Sequence, residues 1–179
     1  MPGYYNNEED NAKTFTEDGF LKTGDLGKLT ISGELLITGR AKEIIVLASG
    51  ENIDPSRIEG AITMLPFVKD AVLVGQDRKG LAALIVPDFE KLKEFALDKL
   101  QRSKESDEEM MLDKSLVDKT RQEINKLLHP KEGFKTYEKL MNLGFLSKEF
   151  TPGEELTNTL KKKRHVIERK YREVIDKLF

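Results

Sequence analysis

The run Leu156-Thr157-Asn158-Thr159-Leu160-Lys161-Lys162-Lys163-Arg164 sets consecutive cations beside hydroxyl side chains at the edge of a helix-like segment. Ammonium groups on such a loop can neutralise phosphate charge. Taken alone, the run is equally a basic, solvated helix face. Three further clusters carry polar chemistry. In Phe20-Leu21-Lys22-Thr23-Gly24-Asp25 the carboxylate of Asp25 follows a Thr-Gly turn. It can accept hydrogen bonds from two neighbouring hydroxyls, such as the 2′ and 3′ positions of a ribose. In Gly39-Arg40-Ala41-Lys42-Glu43 the guanidinium of Arg40 follows a glycine and can fork onto phosphate or ribose oxygens. In Ser49-Gly50-Glu51-Asn52-Ile53 small residues precede a helix start, which admits close backbone approach by a ligand. Each also has an ordinary reading: a turn, a charge cluster at a strand end, a turn with its helix cap.

These clusters need a scaffold, and composition bounds it. Hydrophobic residues make up 38% and charged residues 35% of the 179-residue chain, so the core is modest and the surface heavily solvated. The apolar residues fall in periodic blocks, which suits a folded protein. A formal net charge of -2 gives no global attraction to nucleic acid or anionic lipid. With no cysteine, disulfides, thiolate metal sites and a cysteine nucleophile are excluded. Two isolated histidines, His129 and His165, do not make a zinc site unaided, and no metal-binding residues are expected. No apolar run approaches the roughly 20 residues of a transmembrane helix, and no signal peptide opens the chain. The default setting is reducing and cytosolic.

The pattern along the chain predicts the positioning elements. Residues 1–16 have no apolar period and read as a surface segment. Two short strand-like runs, 27–31 and 34–38, flank Ser32-Gly33 as a hairpin. Residues 44–47 form a short buried strand that ends in the turn Ala48-Ser49-Gly50. Asp54 then caps a helix, Pro55 fits its first position, and Ile53 can staple against Ile58. Ile58, Ala61, Ile62 and Leu65 keep one apolar face, and Pro66 stops the helix. Residues 68–74 and 81–86 read as strands joined by the turn 76–80, which completes a β-α-β-β run. Helices are predicted over 90–100 and 116–128, with a charged connection at 103–109. A loop over 151–159 and a closing helix over 162–178 follow. The class is α+β: a small domain with a β-hairpin, a β-α-β-β core sheet flanked by helices, and a C-terminal helix.

In their order and spacing the motifs are more specific than any one of them. Gly3-Tyr4-Tyr5, the run 18–25, the run 39–43, the run 50–59 and the run 156–161 together resemble the C-terminal third of the adenylate-forming superfamily. The resemblance is strongest to AMP-forming long-chain fatty-acyl-CoA synthetases and covers nearly the whole chain. It implies that residues 1–41 are the C-terminal end of a large N-terminal adenylate-forming domain, and residues 42–179 a mobile lid. It also implies a role for each motif. Asp25 matches the aspartate that binds the ribose hydroxyls of the adenylate, and Arg40 the arginine near ribose and phosphate. Lys42 falls at the hinge. Ser49, Gly50 and Glu51 match the loop lining the pantetheine path, and Lys161 matches the catalytic lysine of the closing motif. One departure is Leu160, where many members carry glycine; the Leu-Thr-x-Thr-Leu-Lys form is similar to the long-chain branch.

The implied function is ATP-dependent, AMP-forming ligation of a fatty acid to CoA, with ATP, Mg²⁺ and CoA serving the full-length enzyme. The chain has no phosphate loop and no acyl tunnel, so it is expected to be a fragment, inactive alone and binding none of these tightly. Its expected partner is the N-terminal domain of the same enzyme, with fatty acid, ATP and CoA as substrates. The expected location is cytoplasmic, with membrane association left open: the basic closing helix has the charge for peripheral contact, although a solvated or domain-facing role is the expected one. Two alternatives stand at this stage. One is the lid of another adenylate-forming enzyme, peptide-synthetase or luciferase-like. The other is a free-standing nucleotide- or nucleic-acid-binding module using the basic helix, which the acidic overall charge disfavours.

Overall fold

The computed structural model describes residues 3–40, 43–101 and 106–179. The chain divides into two compact units, residues 1–44 and 45–179.

The first unit holds α1 (Glu8–Thr14), β1 (Asp25–Leu29) and β2 (Leu35–Arg40). Helix α1 lies in the segment predicted to be surface without period. It starts because the Asn7 side chain accepts the Asp10 N–H and acidic residues fill the first turn. The hairpin is as predicted in place and sense. The strands pair antiparallel, and its tip closes where the Thr30 N–H donates to the Glu34 carbonyl, with Gly33 left-handed at φ +84. None of this unit's described residues is buried, and Phe20, Leu29, Ile31 and Leu35 are largely exposed.

The second unit is built on a three-stranded sheet in the order β5-β6-β7. Strand β6 (Leu81–Pro87) is central and buried throughout, which is why it reads as a continuous apolar run. It pairs antiparallel with β5 (Val68–Val74) and parallel with β7 (Leu140–Phe145). Alternate residues serve opposite faces. Ala71, Leu73, Ala83 and Ile85 join one core with Ile58 and Ile62 of α2 (Pro55–Ile62), Leu92 of α3 (Phe89–Leu100), and Leu116 and Ile124 of α5 (Lys114–Leu127). Val72, Val74, Ala82, Leu84 and Val86 join a second core with Phe150 and Ile167. Onto that second face pack Val174, Ile175 and Leu178 from the end of the chain. Gly144 of β7 permits the approach, since a Cβ there would stand 3.2 Å from Val174 Cγ1.

The α+β class holds, with three local differences. The short strand β3 (Ile45–Val46) pairs with β4 (Asn52–Ile53) and stays outside the main sheet, so the third strand of that sheet is β7. Strand β7 has a mixed sequence that hides it, and it is fixed from α5. The Asn125 amide donates to the Leu140 carbonyl at 2.9 Å and accepts the Leu140 N–H at 2.8 Å, as a neighbouring strand would. The predicted connection at 103–109 contains the start of α4 (Asp107–Leu112), held by a capping box between Ser106 and Glu109. The closing helix is two shorter ones, α6 (Arg164–Lys170) and α7 (Arg172–Asp176), broken at Tyr171.

Candidate functional site

Asp25 and Arg40 are direct cross-strand partners of the β1–β2 hairpin, and Arg40 Nε lies 3.3 Å from Asp25 Oδ1. Gly24 turns the chain at φ +76, and the Asp25 N–H is held by Thr23 Oγ1 at 3.1 Å. A cleft lined in part by Tyr4, Lys22, Thr23, Gly24 and Arg40 runs along this edge of the first unit. A carboxylate acceptor and a guanidinium donor therefore stand side by side, the complement of ribose hydroxyls and phosphate oxygens.

Lys42 lies outside the described residues. In the second unit, Ser49, Gly50 and Glu51 form the turn between β3 and β4. The Leu47 N–H donates to the Glu51 carbonyl, the Gly50 N–H to the Leu47 carbonyl, and Ser49 Oγ to the Glu51 carboxylate. Gly50 is left-handed at φ +93, and nothing lies within 4 Å of where its Cβ would stand. The backbone here is open to an extended ligand. The turn leads directly into α2, whose start is fixed by Asp54 accepting the Ser56 N–H and by Pro55 in the first turn, with Ile53 and Ile58 fully buried.

The three consecutive lysines have three different fates. Thr157 closes a tight loop: its N–H donates to the Lys161 carbonyl at 2.8 Å and its Oγ1 accepts the Lys161 N–H at 3.0 Å. Leu160 sits left-handed at φ +60, a conformation that suits glycine. Lys161 is exposed, and its ammonium meets no partner among the described residues. Lys162 turns inward, its Nζ 2.7 Å from Asp70 Oδ1, 2.6 Å from the Ala71 carbonyl and 3.2 Å from Glu59 Oε2. Lys163 donates to the Gly153 carbonyl at 3.0 Å.

Glu59, Asp70 and Glu155 are polar residues of this region that sequence reasoning passed over. Glu59 is 5% exposed, and its Oε1 accepts the Leu73 N–H and Arg164 Nη2, each at 2.7 Å. Glu155 is buried under the loop, where it accepts the Thr151 N–H and pairs with Lys170. Burial pushes its carboxyl up, but the hydrogen bonds from Lys170 and from backbone N–H groups overcome that and hold it below its ordinary 4.5. Lys170 is raised above its ordinary value, chiefly by its hydrogen bond to Glu155. The one local signal for such residues is an acid inside an apolar stripe, as Glu59 is beside Ile58 and Ile62.

Residues 42–179 match the family model described as the AMP-binding enzyme C-terminal domain. The chain belongs to that family, within the adenylate-forming superfamily. Long-chain-fatty-acid–CoA ligase ACSBG1 of Homo sapiens is 33% identical over 193 residues, covering 99% of this chain and 26% of that protein. Long-chain-fatty-acid–CoA ligase FadD15 of Mycobacterium tuberculosis is 33% identical over 181 residues, covering 99% of this chain and 29% of that protein. The chain thus spans little more than a quarter of the curated relatives it matches. Among solved structures, the adenylation domain of the carboxylic acid reductase of Segniliparus rugosus, in complex with AMP and a co-purified carboxylic acid, aligns with TM-score 0.77 at 27% identity. That alignment covers 99% of this chain and 26% of the reductase domain chain.

Proposed function

We propose that the chain is the mobile C-terminal lid of an ATP-dependent, AMP-forming long-chain fatty acid–CoA ligase, with Lys161 as its catalytic residue. The observation that carries the proposal is the division of labour in the lysine run: Lys162 and Lys163 are tied into the fold, and Lys161 alone of the three presents an unengaged ammonium. The first unit, with exposed apolar residues and no buried one among those described, has the surface of a segment that packs on a larger domain.

The chemistry runs in two steps. A carboxylate oxygen attacks the α-phosphorus of ATP, and the bond to the β-phosphate oxygen breaks to release pyrophosphate. Negative charge crowds between the reacting anions, so a mobile ammonium at Lys161 stabilises the transition state more than the separated reactants. Asp25 receives the ribose hydroxyls, and Arg40 donates to ribose or phosphate oxygens. The lid then turns about Lys42, withdraws Lys161 and presents the Ser49-Gly50-Glu51 turn along the pantetheine path. The CoA sulfur attacks the acyl carbon, and AMP leaves as the thioester forms. One domain serves both half-reactions by changing faces. Mg²⁺ accompanies ATP on the larger domain.

The likeness to a carboxylic acid reductase adenylation domain favours a second reading, in which the same lid passes the acyl adenylate to an acceptor other than CoA. The higher identity to CoA ligases weighs toward CoA. The test is Lys161→Ala in the full-length enzyme that carries this chain. Pyrophosphate exchange should vanish, and thioester formation from supplied acyl adenylate should survive. Equal loss of both half-reactions would count against the assigned role. Absence of acyl-CoA product from the unsubstituted enzyme would favour the second reading.

A further inference from the structure

We propose that Glu59 is a positioning residue for adenylation, setting the register of the lysine run so that Lys161 is the cation presented outward; this rests on the reading of Lys161 above. The residues involved come from distant parts of the sequence. Glu59 lies in α2, the helix entered from the Gly50 turn, and its carboxylate is nearly inaccessible to solvent. Its Oε1 takes the Leu73 N–H of β5 and Arg164 Nη2, and its Oε2 takes Lys162 Nζ. Lys162 also reaches Asp70 and the Ala71 carbonyl, while Arg164 Nη1 reaches the Leu73 carbonyl at 3.2 Å. Two carboxylates and two cations thus close a charge-balanced clamp across helix, strand and loop.

Buried ion pairs repay their desolvation poorly as stabilisers; their best-attested use is to fix one register among several. Lys161, Lys162 and Lys163 are chemically identical, so the loop could present a different lysine if it slipped by one residue. In the observed register Lys162 fills the clamp with Arg164 beside it, and no buried side-chain atom of these four described residues lacks a hydrogen-bond partner. The same clamp ties the loop bearing Lys161 to the helix that follows the Gly50 turn, so both candidate faces of the lid are referred to one rigid element. Misplacing a reacting group by about 1 Å costs about a hundredfold in rate.

The test compares Glu59→Gln and Lys162→Met with Lys161→Ala in the full-length enzyme, following each half-reaction. Glu59→Gln and Lys162→Met should each lower the adenylation kcat by about ten- to a hundredfold, with KM for ATP unchanged. Thioester formation from supplied acyl adenylate should stay at the unsubstituted rate. Limited trypsin treatment of the 179-residue chain should cut faster after Lys161 in both variants. Unchanged adenylation in both variants, while Lys161→Ala abolishes it, overturns the clamp and leaves Lys161 in place. Equal loss of both half-reactions also overturns it, as general destabilisation. Adenylation that survives Lys161→Ala overturns the reading of Lys161 and the clamp with it.

Discussion

Asp25 and Arg40 face each other across the open end of the β1–β2 hairpin, Oδ1 to Nε at 3.3 Å, with 31% and 53% of their side-chain surfaces exposed. An ion pair so open to water contributes little to folding, because solvent screens it and two side chains lose freedom. Under the proposed function its value lies in setting an acceptor beside a donor before a nucleotide arrives.

Asp25→Ala should therefore weaken ATP binding in the full-length enzyme by about ten- to a hundredfold, the worth of hydrogen bonds to a charged acceptor. Unfolding of the 179-residue chain should change by no more than about 0.5 kcal/mol. Nucleotide titration calorimetry and a urea melt check the two halves. Weaker folding with unchanged ATP affinity would make the pair structural.

The lysine run predicts a contrast in stability. Lys161→Ala removes an exposed ammonium without a partner among the described residues and should leave the melting temperature unmoved. Lys162→Met removes a donor shared by Glu59, Asp70 and the Ala71 carbonyl, and should cost about 1–3 kcal/mol. Glu59→Ala takes the carboxylate from Arg164, leaves Lys162 with Asp70 as its counter-charge, and should cost more, about 3–5 kcal/mol. Thermal unfolding of the isolated chain ranks the three.

What was legible in the sequence is what local patterns encode. Strands β5 and β6 follow from their apolar runs, and α2 from Asp54, Pro55 and the spacing of Ile58 and Ile62. The hairpin that pairs Asp25 with Arg40 follows from Ser32-Gly33. What was not legible depends on partners far along the chain. Strand β7 carries Met141, Asn142 and Gly144 between its buried residues, and only pairing with β6 and the Asn125 amide make it a strand. Glu59 binds Lys162 and Arg164 across more than a hundred residues, a contact with no local signature. The break at Tyr171 has neither proline nor glycine to announce it. It falls where Lys170 turns to Glu154 and Glu155 and the Tyr171 ring meets Phe150 edge-on at 6.4 Å.

The Asn125 bracket is open to a direct test. Asn125→Leu keeps the bulk but leaves the Leu140 N–H and carbonyl unpaired, so the chain should lose about 1–3 kcal/mol. Hydrogen exchange at the Leu140 amide should quicken more than exchange in β5. Unaltered protection would mean that the Asn125 bracket is not what keeps the Leu140 amide closed to solvent.

Acid should loosen the loop through Glu155. Its carboxyl is held below 4.5 in the folded chain, so its contribution is complete above that value and is lost as pH falls through the lower, folded one. Lys170 has the opposite sign: raised above 10.5, it contributes fully below that value and loses its contribution as pH rises through the folded one. The coupled pair therefore supports the Thr151–Lys163 loop across the neutral range and fails at both extremes. Glu155→Gln removes the titrating group while keeping a hydrogen-bond acceptor for the Thr151 N–H. Urea unfolding from pH 7 down to pH 3 should show the unsubstituted chain losing its advantage over Glu155→Gln below about pH 4.5. A gap that stays constant across that range would mean that the carboxyl titrates alike in the folded and unfolded chains, and that the loop is held by its backbone hydrogen bonds alone.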